Sequence, residues 1–141
     1  MPSTAISLTG AGCYTTVALL DEWVKKAEED YRGAVDLNRR CKEPTPFLVC
    51  YLCQQCGEKY LKAYLVSRGD TPPLIHSLVQ LLNVAGVHDS SLYAFHPQAQ
   101  LLTQYSVLYR YPGKDASIAD AAMALETPRK LRKVIRRKLN L

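Results

Sequence analysis

Between Pro46 and Gly69 the chain places Cys50, Cys53, Cys56, Gly57, Tyr60, Leu61 and Tyr64 at steps of three and four, with no proline inside the run. Residues at that spacing share one face of a helix. Proline suits a first helical turn, where an N–H would have no partner, and glycine suits a left-handed stop. The stretch therefore predicts a helix from Pro46 to about Arg68. On a wheel of about 100° per residue the cysteines, tyrosines and leucine fill one broad arc. Gln55, Glu58, Lys59 and Lys62 fall on the opposite side, where solvent is expected, with Glu58 and Lys62 as an exposed i,i+4 pair. Gln54 lies towards the edge of the apolar arc, so a partner is expected for its amide.

Three cysteines in one short run also raise the prospect of a metal centre. Thiolates around zinc or an iron–sulfur cluster must converge on a point, whereas Cys50 and Cys56 on a helix stand about 9 Å apart along its axis. Cys13 and Cys41 lack the spacing and the following proline of an iron–sulfur run. The thiols are expected to be small buried hydrophobes, and neither a metal nor a cofactor is expected.

Other segments have the same period. Leu20, Val24, Ala27, Tyr31 and Ala34 predict a long amphipathic helix from Thr15 to about Arg40. Leu78, Leu81, Leu82 and Ala85 predict a shorter one over Leu74–Ala85, with Gly86 as its stop. Positions 92, 95, 99, 102 and 105 predict a fourth, shortened or kinked at Pro97 and ended by about Tyr109. A last element begins near Ser117; Thr127-Pro128 makes its basic end either a kinked continuation or a separate helix. Leu131, Val134, Ile135 and Leu139 give that end an apolar face. No stretch alternates with period two for long enough to read as a strand. The expectation is an all-α fold, an up-and-down antiparallel bundle of four to five helices over residues 15–141, preceded by an N-terminal tail over residues 1–14.

Charge is concentrated at one end. Arg129, Lys130, Arg132, Lys133, Arg136, Arg137 and Lys138 supply seven of the 18 basic residues, leaving 11 against 13 acidic ones elsewhere. That basic segment is either a solvated face or a contact for phosphates. The longest apolar run, Phe47 to Cys53, is far short of the ~20 residues that cross a membrane. An odd cysteine count of five, with no basic start to the N-terminus before Lys25, points to reduced thiols and a cytoplasmic setting.

Gln54-Gln55-Cys56-Gly57-Glu58-Lys59-Tyr60-Leu61-Lys62-Ala63 resembles the Gln-Gln-Ala-x-Glu-Lys-x-Leu-Lys-Ala signature of the HEPN domain, named for higher-eukaryote and prokaryote nucleotide binding. Ala27-Glu-Glu-Asp30 resembles the family's opening Ala-x-x-Asp, His76-Ser-Leu78 with Leu81-Leu82 its His-x-Leu-x-x-Leu-Leu, and Leu102-Thr103-x-Tyr105 with Tyr109-Arg110-Tyr111-Pro112 its Leu-Thr-x-Tyr and Arg-Tyr-Pro ending. The resemblance implies an antiparallel α-bundle, commonly a homodimer, with a functional surface near the Arg that precedes Tyr-Pro. It also implies that the chain could accompany a small nucleotidyltransferase in a two-part, toxin–antitoxin-like system. Ribonuclease members of the superfamily follow that Arg, after four to six residues, with a His; this chain has no His beyond His96. Arg68 and His76 have seven residues between them and span a loop, so they do not replace the pair.

The chemistry follows from that gap. Metal-independent RNA cleavage needs a base for the 2′-hydroxyl and a cation for the phosphorane, and Arg110 could supply only the cation. Nor does the chain hold the Asp-x-Asp of a nucleotidyltransferase or a phosphate-binding glycine loop. The expected activity is binding, with no catalytic residue assigned and a ribonuclease with a rearranged site or a purely structural bundle as alternatives. Arg110 would fork onto a nucleotide or RNA phosphate between Tyr109 and Tyr111, with Lys59 and Lys62 adding positive charge. Gln54 and His76 are expected as structural polar groups, His76 as a cap or packed ring.

Overall fold

The computed structural model describes residues 6–8, 12–107, 109 and 111–141. Five helices follow in chain order: α1 (Thr16–Asn38), α2 (Pro46–Ser67), α3 (Leu78–Gly86), α4 (His96–Val107) and α5 (Ile118–Lys138), with a 3₁₀ turn over Ser90–Phe95. They form an all-α, up-and-down antiparallel bundle. Ahead of them, β1 (Ile6–Leu8) pairs antiparallel with β2 (Gly12–Tyr14), opposing Ser7 to Cys13. Strands of three residues are too short to carry a readable alternation. Residues 1–5 and 9–11 of the expected N-terminal tail lie outside the described residues.

Side-chain caps fix the helix starts. Thr15 accepts from the Ala18 N–H at 3.0 Å and Ser77 from the Gln80 N–H at 3.3 Å. Ser77 rather than Leu74 begins α3, because Pro72 and Pro73 hold the preceding residues out of helical conformation; Leu74 is left 96% exposed. Ser117 and Asp120 form a reciprocal capping box at the start of α5. That helix then runs unbroken through Pro128, which resolves the open choice at Thr127-Pro128 in favour of one element.

The two expected glycine stops differ. Gly69 follows α2 with φ 86°, a left-handed terminator. Gly86 has another role: a Cβ there would come within 2.1 Å of the Tyr93 ring, so the residue is small to let the 3₁₀ turn close over α3.

α2 is the axis of the bundle, contacting α1, α3, α4 and α5. Ala27 and Ala34 on α1 are wholly buried and let that helix approach it closely. Because α2 is covered from several sides, 14 of its 22 residues are buried, among them Glu58 and Lys62. The expectation that those two form an exposed pair is therefore wrong. A wheel finds one apolar arc but cannot count how many neighbours a helix will have.

The thiols of Cys50, Cys53 and Cys56 lie in the core at 0% exposure. Burial pushes Cys50 up to about 12 and raises Cys53 and Cys56 further, so all three stay protonated as packing groups. Among the described residues no three His, Cys, Asp or Glu side chains converge on a point, and no helix is long and apolar enough to cross a membrane.

Candidate functional site

Gln54, Glu58 and Lys62 recur every four residues on α2 and so form a polar line along one side of it. All three are almost fully buried, which is affordable only with partners. The Lys62 ammonium donates to Glu58 Oε2 at 3.1 Å and lies 5.4 Å from the centre of the Trp23 ring, a cation–π contact. Gln54 Nε2 donates to the His76 carbonyl at 2.8 Å, and Gln55 Nε2 donates to Gln54 Oε1 at 2.9 Å. The connection between α2 and α3 is thereby pinned to the central helix.

His76 Nδ1 lies 2.9 Å from Glu58 Oε2. Facing a carboxylate, the ring donates its Nδ1–H to it, which fixes the plane of the imidazole and turns Nε2 away from Glu58. The His76 side chain is 80% exposed and that of Glu58 only 5%, so the carboxylate orients a surface imidazole from below. Among the described residues Glu58 Oε1 has no hydrogen-bond partner, nor does the Trp23 indole N–H.

Beside this assembly a cleft of about 380 Å³ opens between α2 and α4. Tyr51, Gln54 and Gln55 line it from α2, His76 and Ser77 from the connection, and Thr103, Ser106 and Val107 from α4. Thr103 and Ser106 donate their hydroxyl protons to backbone carbonyls of α4, at 2.8 and 2.9 Å, and so turn oxygen lone pairs towards the cleft. The lining combines amides and hydroxyls with apolar surface and holds no Asp, Glu, Lys or Arg among the described residues.

The residues singled out in the sequence separate into groups. Gln54 and His76 are brought together at the cleft. Lys62 is on the same assembly but beneath the surface, so it does not add charge to an exposed face as expected. Lys59 points elsewhere, to Asp30 of α1 at 2.6 Å. Tyr109 packs edge-on against Tyr105 with ring centres 4.9 Å apart, and Tyr111 is 60% exposed. Arg110 lies outside the described residues. Glu58, Ser77, Thr103 and Ser106 were not anticipated at a site; the four-residue recurrence of Gln54, Glu58 and Lys62 was the available signal, obscured because it lies off the apolar arc.

A family model for the HEPN domain matches residues 20–138, most of the chain and all of the helical bundle but the first turn of α1. The chain belongs to the HEPN domain family. Among solved structures, an archaeal HEPN homologue, ST0689, superposes with a TM-score of 0.69 at 22% identity, covering 84% of this chain and 96% of that one. At that identity the likeness is one of fold. No curated protein matches.

A second polar cluster crosses this HEPN bundle from α1 through α2 to α5. Arg132 grips Glu28 with two parallel bonds, Nε to Oε2 at 2.6 Å and Nη2 to Oε1 at 2.8 Å. The Tyr60 hydroxyl also donates to Glu28 and accepts from Arg136 at 3.3 Å. Burial works against the Glu28 charge, but the bonds from Arg132 and Tyr60 outweigh it and hold the carboxyl below its ordinary value. Burial and the Glu28 carboxylate push the Tyr60 hydroxyl up, so it remains a donor. Both oxygens of Glu28 are bonded, which suits a structural tie.

Proposed function

We propose that this HEPN chain is a non-catalytic module that binds a nucleotide or an RNA phosphodiester at the cleft between α2 and α4, as a homodimer or beside a small nucleotidyltransferase. The observation that carries this reading is the carboxylate-oriented imidazole of His76 at the mouth of a cleft lined by amides and hydroxyls. Neutral donors and acceptors suit a base or ribose, where each misplaced hydrogen bond is costly and therefore selective. Phosphate charge then falls to Arg110, three residues beyond Val107 in the sequence, with Tyr109 and Tyr111 beside it. Exposed Leu101 and Val107 on α4 and the exposed ring of Tyr111 support a second copy or a partner on this side.

Calorimetry with ATP, GTP and a short RNA tests this. Heat is expected with at least one of them, lost in Arg110→Ala and reduced in His76→Ala; no heat with any ligand rejects the reading.

One observation favours a ribonuclease as the second reading. Glu58 holds His76 as a general base would be held, which supplies the group missing after Arg110. RNA cleavage by the purified protein, abolished in both His76→Gln and Arg110→Ala, would replace binding with catalysis.

A further inference from the structure

The seven cations at the end of α5 divide sharply once their partners are known. Arg129 bonds Glu126 at 2.5 Å, Arg132 grips Glu28, Arg136 donates to Tyr60 and Lys138 pairs with Asp89. These four are committed to the fold or to a neighbour. Lys130, Lys133 and Arg137 are exposed, and among the described residues their side chains make no hydrogen bond or ion pair. At about 100° per residue the three lie within an arc of about 60°, directly opposite buried Leu131 and Ile135, and they span about 10 Å of helix. No acidic residue occurs after Glu126, so the stripe is positive throughout.

At the C-terminal end of α5, reached by Lys138 next to Arg137, lies a second, polar cleft of about 480 Å³, whose lining includes Ser67, Arg68, His88, Asp89 and Asn140. Its surroundings offer two carboxylates, each already taken: Asp70 by His88 Nε2 at 2.6 Å and Asp89 by Lys138. The Arg68 side chain, also exposed, makes no hydrogen bond or ion pair among the described residues. Local neutralisation has thus been completed inside the cleft, and one guanidinium is surplus.

We infer that the outer face of α5, from Lys130 through Lys133 and Arg137 to Arg68, is a track for the sugar–phosphate backbone of a single-stranded nucleic acid. Other polyanions fit less well. A membrane-surface helix needs an exposed apolar face, and that of α5 is buried in the bundle. Protein interfaces are centred on aromatic and apolar groups and are poor in Lys, whereas two of the three stripe cations are Lys with no exposed apolar side chain between them. Evenly placed, unpaired and flexible cations are what a repeating line of phosphates requires; they bind without reading sequence. The track does not depend on the α2–α4 cleft.

The test is anisotropy of a labelled oligouridine and of the matching DNA strand, titrated with the full chain between about 50 and 200 mM salt. Four phosphate contacts on a single strand predict a slope of log K against log salt of about −3. Lys130→Gln/Lys133→Gln/Arg137→Gln should weaken binding at least tenfold and flatten that slope by about 2, with an unchanged thermal midpoint because those exposed side chains make no hydrogen bond or ion pair among the described residues. Arg68→Gln should flatten it by about 0.7. Equal binding of RNA and DNA supports a backbone track. A salt-independent affinity, a triple variant that binds as tightly as the parent, or tighter binding to phosphatidylserine vesicles or polyglutamate than to oligouridine overturns it. The triple variant should keep its heat with ATP or GTP, so loss of the salt slope with mononucleotide heat retained reports on the track, and loss of mononucleotide heat in Arg110→Ala or His76→Ala reports on the α2–α4 cleft.

Discussion

Two glutamates, Glu28 facing the central helix from α1 and Glu58 on that helix itself, are used in opposite ways. Glu28 has both oxygens engaged, by Arg132 and Tyr60, and ties α1 to α2 and α5. Glu58 shares one oxygen between Lys62 and His76 and leaves the other without a partner, though its side chain is only 5% exposed. A satisfied network rigidifies, whereas a partly satisfied one carries an uncompensated desolvation cost. The sequence tolerates that cost at the one place where a buried carboxylate controls a surface imidazole beside a cleft. The difference between the two is the physical basis for assigning structure to the first cluster and for proposing ligand binding at the second.

The largest effect expected from breaking this contrast is at Lys62. Lys62→Met leaves Glu58 buried without its cation and should cost about 3 kcal/mol or more in urea unfolding; Glu58→Leu in the same chain should recover most of it. Recovery without loss of nucleotide heat would show the Glu58 cluster to be structural as well. Next in size, Glu28→Ala strands Arg132 and Tyr60 and should cost about 2 kcal/mol while leaving ligand affinity intact. A parallel loss of affinity would erase the distinction. His76→Ala should reverse the pattern, with a stability change below about 1 kcal/mol and nucleotide binding weakened about tenfold.

The smallest effect concerns pH. The Glu28 carboxyl is held below its usual 4.5, so its contribution is present above that value and is lost only as pH falls through the depressed one. The acid limb of unfolding should accordingly shift to higher pH in Glu28→Gln relative to the parent, read from circular dichroism between about pH 2 and 5.

Much of the scaffold was legible because helix periodicity and end signals are local. Thr15, Pro46, Gly69 and Ser117 mark boundaries through their own backbone and cap chemistry, and each lies where an element begins or ends. The start of α3 was missed by four residues, since the apolar run at Leu74 outweighed Ser77 in the reading although the cap decides the first turn. At the site, Gln54 was readable as an amide needing a partner, but not that the partner is the His76 carbonyl 22 residues on, and the His76 ring, expected as a cap or packed group, is exposed. Lys59 and Lys62 look alike on the wheel yet one meets Asp30 of α1 and the other sits beneath Trp23.

By itself, then, the order of residues determined five helices, their caps, the thiol-bearing stripe and the concentration of charge at the C-terminal end, because each depends on neighbours a few positions away. Which cations would be spent and which left over was decided only when α5 met α1, α2 and Asp89. The same holds for Glu58: its burial comes from the number of helices packed around α2, a quantity with no trace in the periodicity of α2 alone. Local chemistry specifies the elements, but solvent exposure belongs to the assembly, since water is excluded by whatever the distant chain brings alongside.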